Sequence, residues 1–417
     1  FKQKTAYEIG VRLVGSEMCI RDSNNVKWAS TVSDSPDIQK SMSQCIMGIK
    51  EELGQPPDLM IAFVSSEFST DYDKVLELRK EMASDGVLIG CCGNGIIGAG
   101  KEIEQRPGFA LAGAILPNIF LHTFQVKDTQ IPDGDAGPDK WEQLVGLKAI
   151  DEPDFVILSD PFSIRISNLV QGLDYAFPNN TTIGGISSGG RGPGENVLYL
   201  NDDLIKEGAI GLAITGDAKV DTIVAQGCKP IGKPLRVTQC ERNLLKEIDN
   251  TPPFQILENL YSTLDVNDRG LFEHSLFIGM VMDPFNDNPT MGDFLIRNIL
   301  GADRDKNIIS VGEFLREGQI VQFHLRDAKA SSDELSSLLA NANLPNIGVD
   351  ECGALIFSCL GRGKYLFGKP DHDTGMFKQQ IGEIPLTGFF CNGEIGPVAG
   401  NTYIHGYTSS FGIISPK

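Results

Sequence analysis

One nine-residue glycine pattern occurs three times in this chain, each time in the same strand–helix–strand surroundings, and no other feature narrows the possible folds as far. The copies are Gly90-Cys91-Cys92-Gly93-Asn94-Gly95-Ile96-Ile97-Gly98, Gly184-Gly185-Ile186-Ser187-Ser188-Gly189-Gly190-Arg191-Gly192 and Gly388-Phe389-Phe390-Cys391-Asn392-Gly393-Glu394-Ile395-Gly396. All have Gly at the first, sixth and ninth positions, with a small or polar pair before the second of these. The apolar runs Leu59–Val64, Phe155–Leu158 and Ala354–Phe357 open the units. A helical stretch follows each: from Asp71, from Ile164 to Tyr175, and around Phe377. The short runs Val87–Ile89, Thr182–Ile183 and Leu386–Thr387 then enter the glycines, and Phe109–Ile115, Ala209–Ile214 and Tyr403–Ile414 come after them. Short continuous apolar runs are strands buried on both faces. A unit recurring in this way is an internal repeat. The expected fold class is α/β: a two-domain layered mixed-sheet sandwich with internally repeated strand–helix–strand–Gly-loop–strand units.

The rest of the chain completes the outline. Ser35 and Pro36 open a helix with Ile38, Met42, Cys45, Ile46, Ile49 and Leu53 on one face, and Gly54 stops it. Between the second and third copies, Leu276–Met282, Phe294–Arg297 and Gly318–Leu325 read as strands, and Ser332 to Leu339 as a helix. Pro252-Pro253 marks a boundary, because proline restricts itself and the residue before it. The expected division is 24–57 as an N-terminal helical segment, 58–250 as one domain and 251–417 as a second. Residues 1–23 read as a sequencing-adapter scar, since Glu17-Met18-Cys19-Ile20-Arg21-Asp22 matches a library adapter translated in frame.

Charge and cysteine usage exclude several classes. Lys+Arg 36 against Asp+Glu 55 gives a net charge of −19 over 417 residues, which disfavours a phosphate-backbone surface. No apolar run reaches the length of a membrane-spanning helix. The 9 Cys contain no C-x-x-C pair, so zinc-ribbon and thioredoxin sites are not expected. Scattered thiols fit a reducing cytoplasm.

Several local motifs lack a part that their chemistry requires. Gly93-Asn94-Gly95-Ile96-Ile97-Gly98 spells G-x-G-x-x-G, but Pro107-Gly108 leaves no room for the long helix that would hold a pyrophosphate. The overlapping stretch to Lys101 ends in Glu102 where a P-loop needs Ser or Thr for Mg²⁺. Asp371-His372-Asp373 reads as a solvated loop rather than a metal site. Arg297 lies within the apolar run Phe294–Leu300, and Arg362 stands between Gly361 and Gly363 just past a buried strand. A buried guanidinium needs a carboxylate or a ligand, and Glu394 is one internal answer to Arg362. Cys359 and Cys391 sit near strand ends, with His405 as the candidate base for a thiol nucleophile.

Phe357-Ser358-Cys359-Leu360-Gly361-Arg362-Gly363, Pro385-Leu386-Thr387-Gly388-Phe389 and Gly393-Glu394-Ile395 together resemble the FIST family (F-box and intracellular signal transduction). Gly208–Leu212, Gly227–Gly232 with Val237-Thr238, and Phe294–Arg297 carry the same resemblance. The first glycine loop departs from the family's Gly-Glu-Ile ending, having Gly95-Ile96-Ile97. The resemblance implies a stand-alone FIST-N plus FIST-C sensory module: a cytoplasmic protein that binds a small ligand such as an amino acid or related carboxylate and works with a signalling partner. No cofactor, metal, nucleic acid or membrane span is expected. The expected ligand-binding residues are Arg297, Cys359, Arg362, Asn392, Gly393, Glu394, Ser187, Ser188, Arg191 and Asn94, with an arginine gripping a carboxylate and Glu394 receiving an ammonium. Two rival readings stand beside it, a Cys-dependent hydrolase or transferase and a protein-interaction module related to F-box substrate receptors.

Overall fold

The computed structural model describes residues 25–283, 285–286, 288–342 and 348–417. The adapter reading and Cys19 lie outside them. Three units of one plan follow each other along the chain. The first runs β1 (Lys27–Ser33), α1 (Ile38–Leu53), β2 (Leu59–Ser65), α2 (Glu77–Met82), β3 (Val87–Gly93), a hairpin of β4 (Gly95–Gly98) and β5 (Lys101–Glu104), and β6 (Phe109–Ile115). The second runs β7 (Ile119–Val126), α3 (Pro138–Val145), β8 (Asp154–Ser159), α4 (Ile166–Ala176), β9 (Thr182–Ile186), a hairpin of β10 (Leu198–Leu200) and β11 (Asp203–Ile205), and β12 (Ala209–Gly216).

The third opens with β13 (Ala218–Ala225) and then gives way to an insertion. That insertion comprises β14 (Lys229–Glu241), β15 (Leu244–Ile248), α5 (Pro253–Thr263), α6 (Val266–His274), β16 (Leu276–Val281), β17 (Phe294–Asp303), β18 (Ile308–Val311) and β19 (Ile320–Leu325), and its six strands close into a barrel. The third unit resumes with α7 (Ala328–Ala340), β20 (Gly353–Cys359), α8 (Gly363–Phe367), α9 (His372–Ile381) and β21 (Leu386–Cys391). It ends with a hairpin of β22 (Gly393–Val398) and β23 (Asn401–His405), then β24 (Ser409–Pro416).

Each unit builds a six-stranded mixed sheet from four of its own strands and borrows a hairpin. The orders are β1-β6-β2-β3-β10-β11, β7-β12-β8-β9-β22-β23 and β13-β24-β20-β21-β4-β5. The parallel pair sits at the same place in all three: β2 with β3, β8 with β9, β20 with β21. The hairpins pass around the molecule in a closed cycle, so the units are tied into one body.

The inner faces of the sheets share a single core that includes Phe63 and Cys91, Leu158 and Ile183, and Phe357 and Phe389. Phe389 stacks on Phe63 at 5.0 Å and meets Phe357 edge-on at 5.9 Å. Helices cover the outer faces, α1 and α2 on the first sheet, α3 and α4 on the second, α7 and α9 on the third. This is the expected layered mixed-sheet α/β class. Each fully buried Phe contributes about 2–3 kcal/mol of hydrophobic stabilisation.

The repeat glycines have a steric cause. Gly90, Gly184 and Gly388 lie opposite Ala62, Ile157 and Ile356 on the parallel neighbour. A Cβ on them would stand 2.0, 1.9 and 1.8 Å from the carbonyl oxygens of those residues. The sixth-position glycines make room for the adjoining unit: a Cβ at Gly95 would meet Phe390, one at Gly189 would meet Ser66, and one at Gly393 would meet Ile186.

Three local expectations change. The first and third glycine loops are strands that pass between sheets with a break at one residue, Asn94 or Asn392. Tyr403–Ile414 is two strands interrupted at Gly406–Thr408, because β23 belongs to a borrowed hairpin and β24 to its own sheet. Helix α1 is capped by Asp37, not Ser35: the Asp37 carboxylate accepts from the Lys40 N–H at 2.8 Å.

Candidate functional site

The places where the units hand their hairpins onward lie together. Ser188 Oγ accepts from the Asn94 N–H at 2.9 Å and donates to the Phe390 carbonyl at 2.5 Å. The Asn392 side chain donates to the Ser187 carbonyl at 2.9 Å. The structure therefore brings Asn94, Ser187, Ser188 and Asn392 to one locus. Arg191 is apart from it: its side chain is exposed and its backbone N–H donates to Glu195.

Beside this locus a cleft of about 460 Å³ opens between the barrel and the third unit. The barrel supplies Arg297, Asn298 and Gly312; the third unit supplies Cys359, Leu360, Gly361, Cys391, Asn392 and the stretch Ile404–Tyr407. Leu360 and Gly361 also form a wall of a second cavity, of about 360 Å³, that contains Asn94. Three expected residues, Arg297, Cys359 and Asn392, thus share the larger cleft. Gly393 is buried beside it, packed against Ile186 and Ile404.

Arg362 departs from expectation. Its guanidinium is 0% exposed and closes in a two-pronged grip on Asp373, with Nε–Oδ2 at 2.7 Å and Nη2–Oδ1 at 3.0 Å. The fork expected for a ligand carboxylate is filled by a protein carboxylate, and the partner is Asp373 instead of Glu394. Asp371-His372-Asp373 is correspondingly not a solvated loop: His372 and Asp373 are buried in the first turn of α9. Burial works against the Asp373 charge, and Arg362 overrides it, holding the carboxyl well below the ordinary range. Sequence adjacency hid this pair, because the short helix α8 and the turn after it bring residue 373 back over 362.

Arg297 is half-buried and shares its charge with Glu313, Nε–Oε2 3.2 Å, while donating to the Ile296 carbonyl. Glu394 is fully buried just behind Cys391; it accepts from the Thr408 N–H at 3.1 Å and from the Cys391 thiol at 3.4 Å. Burial raises its pKa to about 8, against the Thr408 N–H and the Cys391 thiol that favour its anion, so it carries the charge an ammonium would seek less readily than an exposed carboxylate does.

The thiols do not look like nucleophiles. Burial, then the nearby Glu394, pushes Cys359 up to about 12 and lifts Cys391 well above the ordinary thiol value. His405 faces the same cleft, but burial lowers its pKa to about 4 and its Nε2 is bonded to the Gly396 carbonyl at 2.9 Å. A thiol raised and an imidazole lowered in this way do not favour the thiolate that nucleophilic attack requires. The eight described cysteines are free. Among the described residues, no group of three or more His, Cys, Asp or Glu is arranged to hold a metal ion.

A residue the sequence reading missed is Arg326, directly after β19. Its guanidinium carbon lies 4.8 Å from the centre of the Tyr407 ring, and its Nε and Nη2 are buried without a hydrogen-bond partner. Each such unpaired donor costs on the order of 1–3 kcal/mol. An Arg directly after the strand Ile320–Leu325 was the available signal.

The buried carboxyls give a pH test. Glu394 and Glu102 both keep their protons up to about pH 8 because burial disfavours their anions. The unfolded chain loses those protons near the ordinary value of 4.5. Stability contributed by the two groups is therefore full below about pH 4.5 and is lost as pH rises towards 8. Each adds a slope of about 1.4 kcal/mol per pH unit in that window. Urea unfolding between pH 5 and 8 should show Glu394→Gln and Glu102→Gln each flattening the decline by about that much; slopes equal to wild type would refute the assignment.

The FIST N domain matches residues 58–251 and the FIST C domain residues 253–397. An uncharacterised protein of Mycobacterium tuberculosis (strain H37Rv) is 33% identical over 388 residues, 92% of this chain and 98% of the relative. One from Mycobacterium bovis is 32% identical over 92% of this chain and 97% of its own length. An F-box/LRR-repeat protein of Arabidopsis thaliana is 24% identical over 58% of this chain and 54% of that protein. A solved cyanuric acid hydrolase from A. caulinodans aligns over 94% of this chain and 99% of that one, with TM-score 0.32 and 9% identity, too distant to carry an argument.

Proposed function

We propose, on the premise that the chain belongs to the FIST family, that it is a cytoplasmic sensor whose small ligand, an amino acid or related carboxylate, binds in the cleft between the barrel and the third unit. FIST domains are associated with signal transduction and small-ligand sensing. Among the described residues, no helix is long and apolar enough to cross a membrane. The observation that carries the reading is the convergence of Arg297, Cys359 and Asn392 on one cleft from three separate segments of the chain. The cleft's volume of about 460 Å³ is within the range typical of small-molecule sites. Polar groups line it on both sides, Arg297 and Asn298 from the barrel and Asn392 from the third unit. Occupancy would hold those two bodies together, and a signalling partner would read that change.

A thermal-shift screen of amino acids and small carboxylates tests the proposal. A ligand at 100 times its Kd adds about 2.7 kcal/mol of stability, an upward shift of several degrees. Arg297→Gln should reduce the shift for the same compound. A panel in which no compound stabilises the wild type at millimolar concentration would sink the reading.

A further inference from the structure

We propose that Arg326, packed against Gly361 and Tyr407 of the cleft wall, is an anion-holding residue, and that a small oxyanion, a carboxylate or a phosphate, docks against its guanidinium beside them. The inference rests on the cleft being a small-ligand site and names the group that selects the ligand.

Arg297, Arg326 and Arg362 differ in how far protein carboxylates answer them: Arg297 and Arg362 are each in an ion pair, although Arg362 keeps a buried Nη1 without a partner. Arg362 is closed on Asp373, and Arg297 is shared with Glu313. Arg326 forms no ion pair among the described residues, and its Nε and Nη2 lie buried without a partner. A charged donor left unpaired away from water is costly, and such orphans in a native structure call for a ligand or solvent partner. Glu394 is close enough to feel the Arg326 charge but forms no ion pair with it, and burial disfavours its anion. A chain of net charge −19 repels anions in general, so an unneutralised guanidinium marks where one is wanted.

The surroundings hold that guanidinium in place. The Arg326 N–H donates to the Ser275 carbonyl at 3.1 Å, which fixes the residue as β19 ends. The ring of Tyr407 is packed between Phe277, at 4.3 Å, and Arg326. Tyr407 adopts φ +67, a left-handed conformation that is unfavourable for a tyrosine and that functional sites often retain. Gly361 supplies the opposite wall: a Cβ there would stand 2.4 Å from Nη1, so a side chain would push the guanidinium aside. The backbone N–H groups of Gly361 and Tyr407 are turned to the Cys359 thiol, which fixes both residues beside the guanidinium. Cys359, Gly361 and Tyr407 all border the open cleft, so an anion has a route in.

The test uses acetate and inorganic phosphate as probes and acetamide as the uncharged control, each titrated by calorimetry into full-length wild type, Arg326→Gln, Arg326→Lys and Arg297→Gln. Acetate or phosphate is expected to bind the wild type, acetamide to bind at least tenfold more weakly, and Arg326→Gln to lose at least tenfold in affinity. Arg326→Lys should retain part of the binding, and whichever anion binds identifies the oxyanion class. A second measurement covers the case in which Arg326→Gln fails to fold. In ¹⁵N-arginine-labelled wild type, the Nε resonance that is missing from the Arg326→Lys spectrum should shift on titration with the bound anion. Unchanged affinity in Arg326→Gln, an unmoved resonance, or acetamide binding as well as acetate overturns the inference. An uncharged metabolite that stabilises wild type and Arg326→Gln equally would also overturn it while leaving the small-ligand reading intact; a wild type that binds no small compound sinks both.

Discussion

Gly90→Ala, Gly184→Ala and Gly388→Ala are each expected to lose more than about 4 kcal/mol of stability, enough to abolish folding of a marginally stable chain. The added methyl carbon would stand 1.8–2.0 Å from the carbonyl oxygen of the parallel neighbour, well inside contact distance. The obstacle is backbone in the middle of a sheet, so relief requires separating β2 from β3, β8 from β9 or β20 from β21. That would break ladder hydrogen bonds and open the shared core at the same time. Gly270→Ala in α6 is the control, since nothing lies within 4 Å of its added carbon. There alanine should stabilise by up to about 1 kcal/mol through helix propensity. Urea midpoints of the four variants decide the matter, and tolerance of alanine at all three repeat positions would dismantle the steric explanation of the motif.

Asp373→Ala is expected to cost about 3–5 kcal/mol, because it strands a fully buried guanidinium. The damage extends beyond the pair. His372 Nδ1 bonds Asp373 at 2.8 Å, and its Nε2 lies 3.0 Å from Ser332 Oγ on α7. Its ring stacks on Phe367 at 3.4 Å, and Arg362 lies over the same Phe367. The carboxylate is therefore the hub joining α7, α8 and α9 to the turn after β20. The sign with pH opposes that of Glu394: because Arg362 depresses the Asp373 pKa, this contribution is present above about pH 4 and is lost on acidification. The double variant Arg362→Met/Asp373→Leu should recover most of the loss, since it removes both charges together. A single Asp373→Ala variant within about 1 kcal/mol of wild type would show the pair to be dispensable. Arg362 N–H also donates to the Cys359 carbonyl at 2.8 Å, so under the proposed function the single variant should weaken binding of the proposed ligand by loosening the cleft wall.

The two tests divide along what was visible in the chain. The glycine positions were legible because close backbone approach leaves a local mark, and the same spacing three times made it unmistakable. The strands Leu59–Ser65, Phe109–Ile115 and Gly353–Cys359 were legible from their unbroken apolar character. β1 was not, since Lys27-Trp28-Ala29-Ser30-Thr31 has neither continuous nor alternating hydrophobicity. Its place is set by pairing with β6 and by Ser30 reaching the Leu386 carbonyl and Thr387, over 350 residues away. Arg297, Cys359 and Asn392 could be nominated individually from residue type and context. Which arginine is answered internally could not, because Asp373, Glu313 and the lack of an ion-pair partner for Arg326 among the described residues are facts of long-range placement.

By itself the sequence determined a triple α/β unit, its buried strands, its obligatory glycines and its membership of a sensory family, all written in short-range patterns that repeat. Only the tertiary structure decided the rest. The units exchange hairpins in a cycle, a closed barrel is inserted within the third, and the cleft lies where barrel and unit meet. Those outcomes depend on which distant groups meet and which charges find partners. Residue order leaves that open until the backbone has folded and burial has selected among the available pairings.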